Sequence, residues 1–242
     1  MKSAKARYVI GLTATPVRRD GKHPIIFMQC GPIRYQAGRK ESLSVIQEVR
    51  PRFLNTAIDL PESAGIQDVF KKLVQAPDRN ATIVADVMAA YADGRKVIVL
   101  TNRTEHLKLL EIELTGKIGH LFVLQGRMTK KQRTEVSEKL EALDESAPRV
   151  LLATASLVGE GFDHPPLNTL ILAMPISWEG SLKQYAGRIH RLHAFKSDVH
   201  IYDYIDLEHK SVARMWDKRR RAYASMGYQI KPQIMPLSTT SQ

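Results

Sequence analysis

Val97-Ile-Val-Leu100 is an unbroken apolar run, and the pattern returns at Leu121-Phe-Val-Leu124, Val150-Leu-Leu-Ala153 and Leu170-Ile-Leu-Ala173. Runs this short, with no polar alternation, suit strands covered on both faces, as in a parallel sheet. Helical periodicity fills the intervals. Ile66, Val69, Phe70 and Leu73 fall at i, i+3, i+4 and i+7. Ile83, Val84, Val87, Met88 and Tyr91 form a second stripe, and Leu107, Leu110 and Leu114 a third. Thr129-Lys-Lys-Gln132 has the form of a capping box and opens a helix expected to end near Leu143. Val199 to Ile205 reads as a further strand. A long basic helix follows from near Glu208, with Val212, Met215, Trp216 and Tyr223 on its inner side. Strands alternating with helices predict an α/β fold: a doubly wound, mainly parallel sheet with helices on both faces.

The first forty residues have a different character. Arg7 to Thr13 reads as a strand ending at Ala14-Thr15-Pro16, Asp20-Gly21 as a turn, and Ile25-Ile-Phe-Met28 as an apolar run broken by Gly31-Pro32. Polar and charged residues from Gly38 to Glu41 read as a connector. The expected division is residues 1–40, the end of one domain, and 41–242, a complete second one.

The 242 residues are 43% hydrophobic and 25% charged, an ordinary soluble composition. A net charge of +11 and a pI near 9.8 fit either a polyanionic partner, nucleic acid above all, or an unspecialised basic surface. The single cysteine, Cys30, excludes an internal disulfide and a cysteine-rich metal site, and a reducing cytoplasm fits best. No stretch has the apolar length of a membrane span, and Met1 to Ile10 lacks the apolar core of a signal peptide.

Chemistry concentrates in two segments. Gln184-Tyr-Ala-Gly187-Arg188-Ile-His-Arg191 sets two arginines at i and i+3, on one face of a helix turn, where their guanidiniums suit a phosphate. Ser181-x-x-Gln184 also reads as a capping box, the plain structural alternative. Upstream, Ala153-Thr154-Ala-Ser-Leu-Val-Gly-Glu-Gly161-Phe-Asp163 follows an apolar run.

In order and spacing these segments resemble the superfamily-two helicases and translocases. Gly11-Leu-Thr13-Ala-Thr15-Pro16 looks like their third motif, and Val97 to Arg103 like the fourth. Gln125-Gly-Arg-Met128 with Gln132-Arg133 is similar to the adjoining segment. Ala153 to Asp163 resembles the fifth motif and Gln184 to Arg191 the sixth. Thr13 to Gly21 is similar to the branch of type III restriction subunits and XPB-like DNA helicases. The resemblance implies a RecA-like second domain, preceded in residues 1–40 by the last strand and exit segment of a first RecA-like domain.

It also implies roles. Arg188 and Arg191 would be arginine fingers acting on charge that develops on the γ-phosphate, an effect worth about 10³–10⁵ in rate. Gln184, Gly187, Gly161 and Asp163 would meet the nucleotide, Gly187 through close backbone approach. Thr154, Thr101, Asn102 and Arg103, at strand ends, would meet nucleic-acid phosphates, DNA in preference to RNA. For Asn102 and Thr104 helix capping is an equal reading. Thr13 and Thr15 would couple the two domains. Lys218 to Arg221 would track a nucleic-acid backbone or form a solvated helix face.

What is absent matters as much. No G-x-x-x-x-G-K-[ST] phosphate loop occurs in the sequence. Asp144-Glu145-Ser146-Ala147 matches D-E-x-x but follows the helical stretch Val136, Leu140, Leu143, and reads as a helix-end turn. Gly159-Glu-Gly161 fails as a dinucleotide fingerprint because the third position is His164. His190, His193 and His200 lack convincing ligand spacing, so no metal site is expected. The reading is the C-terminal half of an ATP-dependent DNA helicase, not ATPase-competent alone. ATP and Mg²⁺ would be held mainly by a first RecA-like domain or a companion chain. The alternative is a non-catalytic RecA-like module that binds nucleic acid or a partner.

Overall fold

The computed structural model describes residues 8–13, 21–35, 45–155, 162–191, 193 and 196–232. The chain divides into two compact units, residues 1–44 and 45–242.

In the first unit, residues 8–13 have no regular secondary structure, although the sequence reads as a strand there. A strand needs a neighbour for its N–H and C=O groups, and the described residues of this unit supply none. The apolar run at 25–28 lies in a helix, α1 (Pro24–Cys30), with proline at its start. Thr15 and its neighbours lie outside the described residues.

The second unit is a seven-stranded sheet. The strands are β1 (Ile46–Leu54), β2 (Lys96–Thr101), β3 (Leu121–Leu124), β4 (Arg149–Thr154), β5 (Thr169–Leu172), β6 (Asp198–Asp206) and β7 (Gln229–Ile230). They lie in the order β3-β4-β2-β5-β6-β1-β7, every pair parallel. The helices are α2 (Ile66–Gln75), α3 (Pro77–Ala92), α4 (Thr104–Leu114), α5 (Lys130–Glu141), α6 (Glu179–Ile189) and α7 (Lys210–Ser225). This is the RecA-like fold; in open α/β sheets of this kind ligands bind outside the carboxyl ends of the strands.

Period-two alternation divides the core. Val97, Val99, Val150 and Leu152 pack with Ile83, Val87, Leu107 and Leu110 of α3 and α4. Ile98, Leu100, Leu151 and Ala153 face Leu140, Leu182, Ala186 and Tyr223 of α5, α6 and α7. Consecutive residues point to opposite faces, so a four-residue apolar run serves both cores. Replacing a fully buried leucine such as Leu107 by alanine costs about 2–5 kcal/mol.

Three local expectations need correction. The helix carrying Arg188, and ending just before Arg191, begins at Glu179 with Trp178 as N-cap, so Ser181 lies inside it and forms no capping box. Trp178 folds over Gly180, where an added Cβ would lie 2.6 Å from the indole Cζ2. The N-cap of α4 is Arg103 without a side-chain cap, so neither Asn102 nor Thr104 fills that role. Arg219, within the basic run of α7, is buried. It donates to both oxygens of Asp203 and to the Ile176 carbonyl, because its helix face turns inward. The Thr129–Gln132 capping box forms as read. Asp144–Ala147 is a turn after α5, with Asp144 Oδ1 accepting from the Ser146 amide at 2.8 Å.

Candidate nucleotide and nucleic-acid edge

Thr101 and Thr154 are the last residues of β2 and β4, and the register sets them side by side. Their environments differ. The Thr101 side chain lies 3.2 Å from His106 Nδ1 and accepts from the Arg103 amide at 3.2 Å. Asn80 donates to the Val74 carbonyl, leaving its Oδ1 to accept from His106 Nε2 at 3.0 Å. That fixes the proton on Nε2 and makes Nδ1 the acceptor for Thr101. Burial, with Arg79 nearby, lowers the His106 pKa to about 3, so the ring is neutral. The Thr101 hydroxyl is therefore engaged on both sides. Thr154 Oγ1 is buried and has no hydrogen-bond partner among the described residues.

Beyond β2, Asn102 is exposed. Arg103 is held by the Gln67 side chain of α2, with its guanidinium 5.6 Å from the centre of the Phe70 ring. Between the carboxyl end of β3 and the start of α4 lies a cavity of about 480 Å³, lined by Thr104, Glu105, Lys108, Gln125, Arg127, Met128 and Gln132.

The two sequence segments meet at one point. Arg191 Nε lies 3.2 Å from Asp163 Oδ1, joining the segment between β4 and β5 to the end of α6. Both side chains are about half exposed, so the pair faces solvent rather than the core. Arg188 sits in the last turn of α6 and has no hydrogen-bond or ion-pair partner among the described residues. Gln184 is exposed on the same helix. A Cβ added at Gly187 would meet nothing within 4 Å, so packing within the chain does not demand glycine there. Gly161 lies outside the described residues, and Thr13 is an exposed residue of the first unit.

The supports beneath this point were not legible in the sequence. His164, next to Asp163, is buried, and its Nε2 lies 3.3 Å from Arg149 Nη1. Burial and the Arg149 charge push its pKa down to about 4, so it accepts as a neutral ring. His190, between the two arginines, has Nε2 2.6 Å from the Tyr228 hydroxyl. Lys196 reaches carbonyls on both sides of the Asp163–Arg191 contact. No spacing rule announces a side chain whose partners are main-chain oxygens.

Residues 80–193, from α3 past Arg191, match the helicase conserved C-terminal domain family. Those residues form a helicase conserved C-terminal domain. The chain is 23% identical over 238 residues to protein L396 of Acanthamoeba polyphaga mimivirus, whose name assigns it provisionally to the ATP-dependent RNA helicases. That alignment covers 93% of this chain and 43% of L396. It is 26% identical over 224 residues to the DNA 3'-5' translocase XPB2 of Sulfurisphaera tokodaii, covering 76% of this chain and 49% of that protein. The crystal structure of T4 UvsW superimposes with a TM-score of 0.60 at 16% identity, over 77% of this chain and 41% of that one. This chain thus spans less than half the length of each of these relatives.

Proposed function

We propose that this chain supplies the second RecA-like half of an ATP-dependent helicase or translocase acting on DNA. The meeting of Asp163 with Arg191 carries the reading, since it gathers the fifth-motif-like and sixth-motif-like segments at one exposed edge. Arg188 and Arg191 act as fingers on the γ-phosphate, and Gln184, Gly187, Gly161 and Asp163 line the nucleotide side. Thr154, Asn102 and Arg103 meet the nucleic-acid backbone, while Thr101 holds the turn beneath them. Thr13 and Thr15 couple this domain to its partner. Among the described residues no group of three or more His, Cys, Asp or Glu side chains could hold a metal ion. Because the sequence carries no G-x-x-x-x-G-K-[ST] loop, this reading gives Mg²⁺ and the ATP phosphates to a partner RecA-like domain, in the same polypeptide or on a companion chain. No helix among the described residues is long and apolar enough to cross a membrane.

The test is turnover with a phosphate-loop-bearing RecA-like domain supplied, measured on DNA and on RNA. A finger acts on charge present only in the transition state, so Arg191→Ala should lower kcat about 10²-fold or more, with a smaller change in KM. Arg191→Lys should recover little, because lysine keeps the charge and loses the planar fork. Full kcat in Arg191→Ala would replace this reading with the non-catalytic binding module. RNA-selective stimulation would replace DNA with RNA.

A further inference from the structure

Arg191 lies just beyond the end of α6, where helical hydrogen bonding no longer fixes the backbone, and Asp163 lies on an exposed loop. Neither segment would hold the other at 3.2 Å through a half-exposed ion pair alone, since such pairs are worth about 0–1 kcal/mol. Lys196 provides what the pair lacks. Its Nζ donates to the carbonyl of Pro165 at 2.8 Å, of Ile189 at 3.0 Å and of Arg191 at 2.8 Å. Pro165 belongs to the Asp163 loop, Ile189 is the last residue of α6, and Arg191 is the finger itself. An ammonium has three N–H donors, and all three are directed at carbonyls from the two segments that must stay in register. The position also suits a cation at a helix C-terminus.

We propose that Lys196 is a positioning residue: its ammonium clasps the Asp163 loop to the end of α6 and so sets the Arg191 side chain for catalysis. The inference rests on the finger reading given above. Burial lowers the Lys196 pKa to about 8, with Asp163 opposing the shift. His164 is coupled to Lys196 from behind Asp163, with Arg149 and His193 acting on His164 in turn. A neutral amine offers two donors in place of three, so the clasp loses a bond as pH rises through about 8. The sign of the stability effect is opposite. Above that pH the unfolded chain, with an ordinary lysine, holds more protons than the folded one, so stability rises with pH through this group. Activity and stability therefore part company on the alkaline side, which a merely structural lysine would not produce.

The experiment uses the complex with the phosphate-loop domain. In Lys196→Met, kcat should fall roughly 10-fold to 10²-fold with KM little changed, the scale of an ångström-level misplacement of a reacting group. In Lys196→Arg, activity near neutral pH should be largely recovered and the alkaline loss near pH 8 should disappear. This arm remains decisive if the methionine variant fails to fold. Unchanged kcat in Lys196→Met, with Arg191→Ala still impaired, overturns the clasp alone. So does an alkaline loss that persists in Lys196→Arg. Full kcat in both Arg191→Ala and Lys196→Met overturns the finger reading and the clasp together.

Discussion

Arg219 grips Asp203 with two hydrogen bonds, Nε to Oδ2 at 2.7 Å and Nη2 to Oδ1 at 2.9 Å, both side chains almost wholly buried. The same carboxylate accepts from the Tyr223 hydroxyl at 2.9 Å, and Arg219 Nη1 holds the Ile176 carbonyl on the approach to α6. The pair thus ties α7, β6 and the arginine-bearing helix together. Removing one partner of a buried ion pair leaves the other charge uncompensated, so Arg219→Ala should destabilise by about 3–5 kcal/mol in urea titration. Lys218→Ala and Arg220→Ala, exposed on the same helix, should change stability by less than about 0.5 kcal/mol. If those two charges touch nucleic acid, the double variant reduces the salt slope of binding by roughly 0.7–0.9 per lost contact. An Arg219→Ala protein as stable as the parent would show that the buried pair does not organise this face.

Thr154 separates ligand binding from packing. Its buried hydroxyl has no partner among the described residues, an arrangement that costs about 1–3 kcal/mol, and valine has nearly the same shape without the polar atom. Thr154→Val should therefore leave the melting temperature unchanged or raise it, while weakening nucleic-acid binding in a fluorescence anisotropy titration. Equal affinity for the nucleic acid would remove Thr154 from the proposed track.

Acid should unfold the domain early. His106 has its pKa lowered to about 3, and His164 and His200 to about 4, each chiefly by burial. The unfolded chain protonates these rings near the ordinary 6.5, so stability is intact above that value and is lost as pH falls toward 4 and below. Each ring contributes at most about 1.4 kcal/mol per pH unit across its window. Urea midpoints should drop between pH 7 and pH 5 with an unchanged m-value. A flat midpoint over that interval would mean that these rings are not buried neutral.

The central strands could be read from composition because they are apolar on both faces, and β2 to β5 lie close to the four runs quoted at the outset. β1 could not. Ile46-Gln-Glu-Val-Arg-Pro-Arg-Phe-Leu54 mixes charge with a proline, which argues against a strand inside a sheet. It is tolerated because, among the described residues, β7 pairs only with Glu48 and Val49, and no strand lies beside Pro51 on that side of β1. The charges are met by Asp86 of α3, 2.7 Å from Arg52, by the Tyr202 hydroxyl of β6, 3.2 Å from Arg50, and by Glu48 of the same strand, 3.2 Å from Arg50. At the site, the arginines and Asp163 stand out as residue types at a recognisable spacing. His164, Tyr228 and Lys196 do not, because their roles come from burial and from contacts far apart in sequence.

The packing of Trp178 against Gly180 makes the domain its own optical probe. Of the two tryptophans in the chain, Trp216 is buried in α7 among the Phe53 and Tyr223 rings, and Trp178 stands partly exposed at the entry to the arginine helix. One indole reports on the integrity of the core and the other on events at the carboxyl edge of the sheet. In a Trp216→Phe background, tryptophan emission comes only from Trp178, the N-cap of the helix that carries Arg188. Docking of a partner domain or a nucleic-acid strand can then be followed in real time without attaching a dye.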